Sequence, residues 1–351
     1  MTDSLQRDDC VIADFVGLGS GVAGMPGLVS AGRAPPALTL IVSVLLTLAP
    51  ATGLTCACGC GVFDVGTVSM LPSGPGGAVY VEDDFMNQNQ NWVGSHAARA
   101  SANTDKELQT NFGDVGLDYQ SNNDWGATAE LPYWDRLFRT DIGTPTAPDV
   151  TTFRHSAIGD VRLTARYTGF SSDLSTGLTL GVKLPSGDWT YPNFDRDSSI
   201  GTGTTDLLLG GYHVGSIGAD PHLKWFAEIL LDRPFNTREG YRPGNEIDAA
   251  AGALYDGIRL GQSGSLATLL QLIGSDRLHD SGVQADPYNS GYHRLLLSPG
   301  VEASIGQWKV YGDAEFRVYH YANAAPSVAV EGTQGQLVPV VLLKFMVSYH
   351  F

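Results

Sequence analysis

Along most of the chain apolar and polar residues alternate over stretches of about 10–14 positions, the period of a strand with two unlike faces. The alternation predicts twelve strands, near 77–88, 106–119, 124–135, 157–169, 175–185, 204–215, 222–232, 246–257, 265–275, 290–304, 307–319 and 338–351. Connections after odd-numbered strands are long, as in "SGDWTYPNFDRDSSIGTG" and "DRLHDSGVQADPYN". Those after even-numbered strands are shorter, as in "QSNN", "FSSD" and "SIGQ". A soluble sandwich has no reason to gather its long loops at one end. A transmembrane barrel does, with short periplasmic turns and long extracellular loops. The expected fold is therefore all-β, a transmembrane antiparallel up-and-down β-barrel of about 12 strands over residues 76–351, in the bacterial outer membrane.

Strand parity assigns the faces. In the last strand Val341, Leu343, Phe345, Val347, Tyr349 and Phe351 share one side, and Leu342, Lys344, Met346, Ser348 and His350 the other. In the eleventh, Val310, Ala314, Phe316 and Val318 oppose Lys309, Tyr311, Asp313, Glu315, Arg317 and Tyr319. Apolar side out and polar side in, with aromatics near strand ends, is the lipid-facing barrel pattern. Such strands must close on themselves, because unpaired backbone groups in hydrocarbon cost several kcal/mol each. The first two strands fit least well: either parity leaves Asp83 or Asp114 in an awkward place. The terminal Phe351 is expected at the periplasmic rim, where a final aromatic resembles the signal read by the barrel-assembly machinery.

The inward faces carry Glu130, Arg162, Arg166, Lys183, Lys224, Glu228, Glu302, Asp313, Glu315, Arg317 and Lys344. Two readings stay open: a hydrated channel whose charges select solutes, or side chains that pair across a narrow interior and plug it. Eight strands just fit their own side chains and 16–18 enclose an aqueous channel, and twelve falls between.

Charged residues make up 17% of the chain and the net charge is −16, which argues against nucleic acid as a partner. No common catalytic signature is present, so an enzyme is not expected. Asp313 and Glu315 share a face and could mimic an acid/base dyad, but no nucleophile accompanies them. The loop holding Asp188, Asp195, Asp197 and Asp206 lacks calcium-loop spacing and reads as solvated extracellular turns, or as a contact for cations that bridge lipopolysaccharide.

Before the barrel, Arg33, an apolar run from 37 to 48 and Ala49-Pro50-Ala51 form the three parts of a secretory signal, too short for a spanning helix. Residues 1–51 are thus expected to be absent from the mature protein, with Met25 a plausible start, and 52–75 to form a periplasmic segment. That segment carries Cys56, Cys58 and Cys60. Alternate thiols suit copper or zinc, and a C-x-C pair is poor geometry for an internal disulfide. Metal, a mixed or interchain disulfide, and a leader without chemistry all remain open.

Finally, "AIGDVRLTARYTGF", "LSTGLTLGVKLPSGDW", "GTGTTDLLLGGYH" and the closing "VSYHF" resemble the phenol meta-pathway (MetA-type) outer-membrane protein family. The resemblance spans roughly residues 150–351 and implies a transporter-like barrel passing small solutes, with aromatic compounds among them. The rival expectation is a surface-exposed structural or binding barrel with a plugged lumen. Outer-membrane lipid and lipopolysaccharide are its expected surroundings.

Overall fold

A computed structural model describes residues 71–351 apart from 73, 145 and 327–332. Twelve strands form the wall. They are β1 (Gly76–Val93), β2 (Asp105–Gln120), β3 (Trp125–Asp141), β4 (Val150–Ile158 continued by Arg162–Tyr167), β5 (Thr176–Lys183) and β6 (Asp206–Ser216). The second half comprises β7 (Leu223–Pro234), β8 (Glu246–Leu260), β9 (Gly264–Arg277), β10 (Tyr292–Ile305), β11 (Trp308–Ala322) and β12 (Gln336–His350). Each pairs antiparallel with its chain neighbours, and β12 closes on β1 from Ala78↔His350 to Trp92↔Gln336. Closure removes both sheet edges and satisfies the ladder within the wall. Among the described residues no helix is long and apolar enough to cross a membrane; the strands make the crossing.

The outer face is apolar and open to lipid, with Val81, Leu117, Leu131, Leu163, Leu180, Leu209, Ile229, Leu272, Val301 and Phe345 all exposed. At the short-turn end aromatics gather in contact, Trp125 with Tyr167 at 4.9 Å and Trp308 with Tyr349 at 5.0 Å between ring centroids. Aromatic rings of this kind mark the membrane interface. Phe351 joins them: its backbone exchanges hydrogen bonds with Gly77 at 2.8 and 2.9 Å, and its ring lies over that glycine. The chain therefore ends by locking β12 to the start of β1. Asp83 departs from the pattern, lying exposed on the outer face between Val81 and Phe85, while Asp114 points inward.

Three differences from the sequence reading have physical causes. The connection after β3 is mostly strand, because β3 runs to Asp141 and β4 begins at Val150. Tyr319, expected inside, faces out: Leu295 pairs Tyr319 while Leu296 pairs Arg317, and the bulge between them reverses the parity. The acidic loop after β5 is not a solvated turn. It folds into the barrel, burying Ser198, Ile200, Thr204 and Asp206.

Candidate functional site: a chain of lumen cavities

The lumen is layered. Toward the periplasm it is charged, around Lys344, whose ammonium donates to Glu82 at 2.8 Å and lies 3.2 Å from Asp84. Two residues further toward the outside on the same strands come Met86, Phe112 and Leu342. With Phe226, Ala250, Ile273 and Leu296 they form one buried apolar cluster. Its members come from β1, β2, β7, β8, β9, β10 and β12, so the cluster crosses the lumen. Met86 is 0% exposed and Leu342 1%. At that height apolar side chains rather than paired charges line this part of the lumen.

Above this layer the segment 184–205 fills the interior, held at both ends. Asp160, turned inward at the break in β4, accepts from the Gly187 N–H at 3.0 Å and the Thr202 N–H at 2.7 Å. Arg136, fully buried on β3, donates to the carbonyls of Ser198 and Ser199, and stacks near Trp134 and Phe112. Tyr191 accepts from the Ile200 N–H at 3.0 Å and stacks on His155 with centroids 3.7 Å apart. The Gly187, Ser198, Ser199 and Thr202 groups find partners on the wall and the Ile200 N–H one within the segment, which is what lets an irregular segment sit inside a barrel.

Four of the cavities follow one another down the lumen. An outer one of about 240 Å³ is lined by Trp189, Tyr191, Phe194, Arg196 and Tyr241. Arg196 and Tyr241 also line the next, about 90 Å³, with Asp160, Arg162, Lys183, Leu230 and Asp248. Arg162 and Leu230 in turn line a third of about 150 Å³, with Tyr80, Glu82, Asp114, Glu130, Arg166, Glu228 and Lys344. Leu71 and Tyr212 are shared between that cavity and the periplasmic mouth, about 500 Å³, where Lys224 and Glu302 sit. Arg196 lies over Trp189 and Tyr241 at 5.1 and 4.5 Å, a stacked barrier rather than a wall. Burial raises the Tyr191 and Tyr241 hydroxyls above the usual phenol range, and Asp280, which accepts from Tyr241 at 2.8 Å, adds to the second. Burial also lowers Arg196 below the usual guanidinium range.

Of the residues singled out from sequence, Glu130, Arg162, Arg166, Glu228 and Lys344 meet in the third cavity. Lys183 lies one cavity higher, bound to Asp206 and Asp232 at 2.5 and 2.6 Å. Lys224 and Glu302 stand at the mouth, paired with Asp256 at 2.8 Å and Lys309 at 3.6 Å. Asp313 accepts from Tyr311 at 2.5 Å and Glu315 is buried beside Lys344, so the two do not form an acid/base dyad toward a cleft. Arg317 lies apart, on the extracellular side, donating to the Pro339 carbonyl at 2.8 Å and to Gln90 at 2.7 Å. Sequence reasoning missed Tyr80, Glu82, Asp84 and Asp114, because β1 and β2 had no clear parity. A usable signal was present in Gly116. It pairs with Tyr80 on one side and Glu130 on the other, and a Cβ there would lie 2.0 Å from the tyrosine ring. The bare position lets Tyr80 cross it and donate to Glu130 at 2.6 Å. Arg196, Trp189 and Tyr241 were missed because loop insertion has no periodic signature.

Cys56, Cys58 and Cys60 lie outside the described residues, as does the expected signal segment, so the copper or zinc reading of those thiols falls outside them too. Among the described residues no group of three His, Cys, Asp or Glu side chains is placed to hold a metal ion.

No family model matches the chain, and no curated protein matches it. Among solved structures, an outer membrane channel from Pseudomonas putida F1 superposes with a TM-score of 0.53 at 14% identity, over 80% of this chain and 97% of that one. The fold is that of an outer-membrane β-barrel. The β domain of the Bordetella autotransporter BrkA matches at 14% identity over 79% of this chain and 100% of that one. The Pseudomonas putida toluene transporter TodX does so at 10% over 78% and 89%. Their TM-scores of 0.43 and 0.35 are too low to bear on the reading. With its apolar belt and aromatic rim, this barrel is an outer-membrane protein.

Proposed function

We propose that the protein is a gated outer-membrane channel for passive passage of small solutes, with aromatic compounds among them. The observation that carries this is the run of cavities from the outer face to the periplasmic mouth, in which successive cavities share lining side chains. Side chains move on far shorter timescales than walls, so Arg196 with Tyr241, and Arg162 with Leu230, can act as gates. The aromatic solute class is supported by the phenol meta-pathway resemblance and by the ring-lined outer cavity.

Planar-bilayer recording tests the reading. Discrete conducting steps are expected, larger in Tyr241→Ala and Leu230→Ala. Phenol added on the extracellular side should reduce the current, and less so in Trp189→Ala. A second reading, a binding barrel with a plugged lumen, is favoured by the buried apolar cluster across the lumen. Correctly folded barrels that stay silent in the wild type and in the Tyr241→Ala/Leu230→Ala double variant would establish that reading instead.

A further inference from the structure

The 150 Å³ cavity in the periplasmic half has a charge imbalance that its own pairings do not remove. Glu82, Asp114, Asp118, Glu130 and Glu228 line it against Arg162, Arg166 and Lys344, five carboxylates to three cations. Lys344 is bound by Glu82 and Asp84, and Arg166 by Asp118 at 3.0 Å. Arg162 lies toward Lys183 and Asp232 and also lines the cavity above. Glu130 accepts from the Tyr80 hydroxyl at 2.6 Å, and among the described residues Asp114 and Glu228 stand in no ion pair. Asp114 and Glu130 stand on neighbouring strands, β2 and β3. Glu228, on β7, comes from a separate part of the wall.

Glu228 is the independent observation. It is 9% exposed, lines the cavity, and its Oε1 accepts no hydrogen bond. Arg166 and Lys344 are the cations whose charge reaches Glu228, neither within hydrogen-bond distance of it, and a cation that enters directly beside it would recover more of the cost of burying the carboxyl group.

We propose that this cavity binds small organic cations carrying a primary ammonium group. Lys344 already displays the mode, an ammonium seated between carboxylates at 2.8 and 3.2 Å. A second ammonium between the Asp114–Glu130 side and Glu228 would complete the same arrangement. Leu208, Leu230 and Tyr212 supply an apolar surface for the stem of such a molecule. A bare metal ion fits less well, since no three of these acids are placed to share one. The inference deepens the channel reading by naming a solute class, and it rests on that reading only for transport, not for binding.

Titration calorimetry on the detergent-solubilised full chain is the test, with n-butylammonium chloride as probe and sodium butyrate as the charge-reversed control. Saturable butylammonium binding is expected, with none for butyrate. Glu228→Gln and Glu130→Gln should each weaken it at least about tenfold, a change of about 1.4 kcal/mol. Circular dichroism and heat-modifiable gel mobility confirm that each variant is folded; should either fail, Asp114→Asn provides the same readout. Absence of saturable binding, equal binding of butyrate, or affinity unchanged in the folded variants overturns the proposal. A barrel that binds butylammonium but never conducts keeps this inference and sinks the channel reading. A conducting barrel that ignores butylammonium does the reverse.

Discussion

The extracellular and periplasmic halves of the lumen are built from the same wall and filled in different ways. In the outer half a length of backbone, 184–205, supplies the partners: wall side chains such as Asp160 and Arg136 bond its amides and carbonyls. In the inner half side chains meet side chains across strands, as in Lys344–Glu82, Arg166–Asp118 and Tyr80–Glu130. The backbone-filled half keeps about 240 Å³ at its outer end and narrows to about 90 Å³ below it, whereas side-chain pairs leave about 150 Å³ and an open mouth of about 500 Å³. One end of the barrel is thus stoppered by its own chain. The other is a charged vestibule.

The sharpest way to break this contrast is by thiol labelling. With the native cysteines replaced by serine, Asp114→Cys should react fully with a water-soluble maleimide. Ser198→Cys, whose site is 0% exposed, should stay unlabelled over the same time. Equal rates would abolish the distinction between stopper and vestibule. Next in size is Arg136→Ala. It removes a buried guanidinium that bonds two carbonyls of the inserted segment, and should cost about 3 kcal/mol, since bonds to charged groups contribute about 1.5–3 kcal/mol each. Urea-dependent folding into lipid vesicles measures the loss, and the same variant should conduct more than wild type.

Tyr80→Phe sharpens the comparison from the inner side. Loss of one donor to Glu130 should cost about 1–2 kcal/mol in the same folding assay while leaving conductance nearly unchanged, because no backbone is released. At the mouth, Lys224→Ala removes a half-exposed pair with Asp256 and should change stability by at most about 0.5 kcal/mol, an effect that salt reduces further. A loss there as large as that of Arg136→Ala would mean that the mouth, too, is a packed interior.

How much of this could be read from sequence depended on whether a position repeats. All twelve strands were expected, nine of them with both ends within three residues, while β1, β3 and β4 each run five to seven residues further at one end. The wall's handling of Lys344 and Phe345, one in and one out, was expected too. The acids of β1 and β2 were not resolved, because "VEDDF" offers charge on both parities. Register with β12, which sets Asp84 against Lys344, decides it. The inserted segment was misread for a related reason: its Asp and Gly residues suit an exposed turn as well as an internal one.

By itself the sequence determined the closed twelve-strand wall, its lipid face and the end of the chain at the periplasmic rim. These follow from a two-residue period and a medium that tolerates no unpaired backbone. Only the tertiary structure decided what occupies the lumen: which charges pair, where an apolar layer crosses, and that 184–205 turns inward. Such contacts join residues far apart in the chain, such as Lys344 with Glu82 or Arg136 with Ser198, and no local pattern encodes which of them will meet.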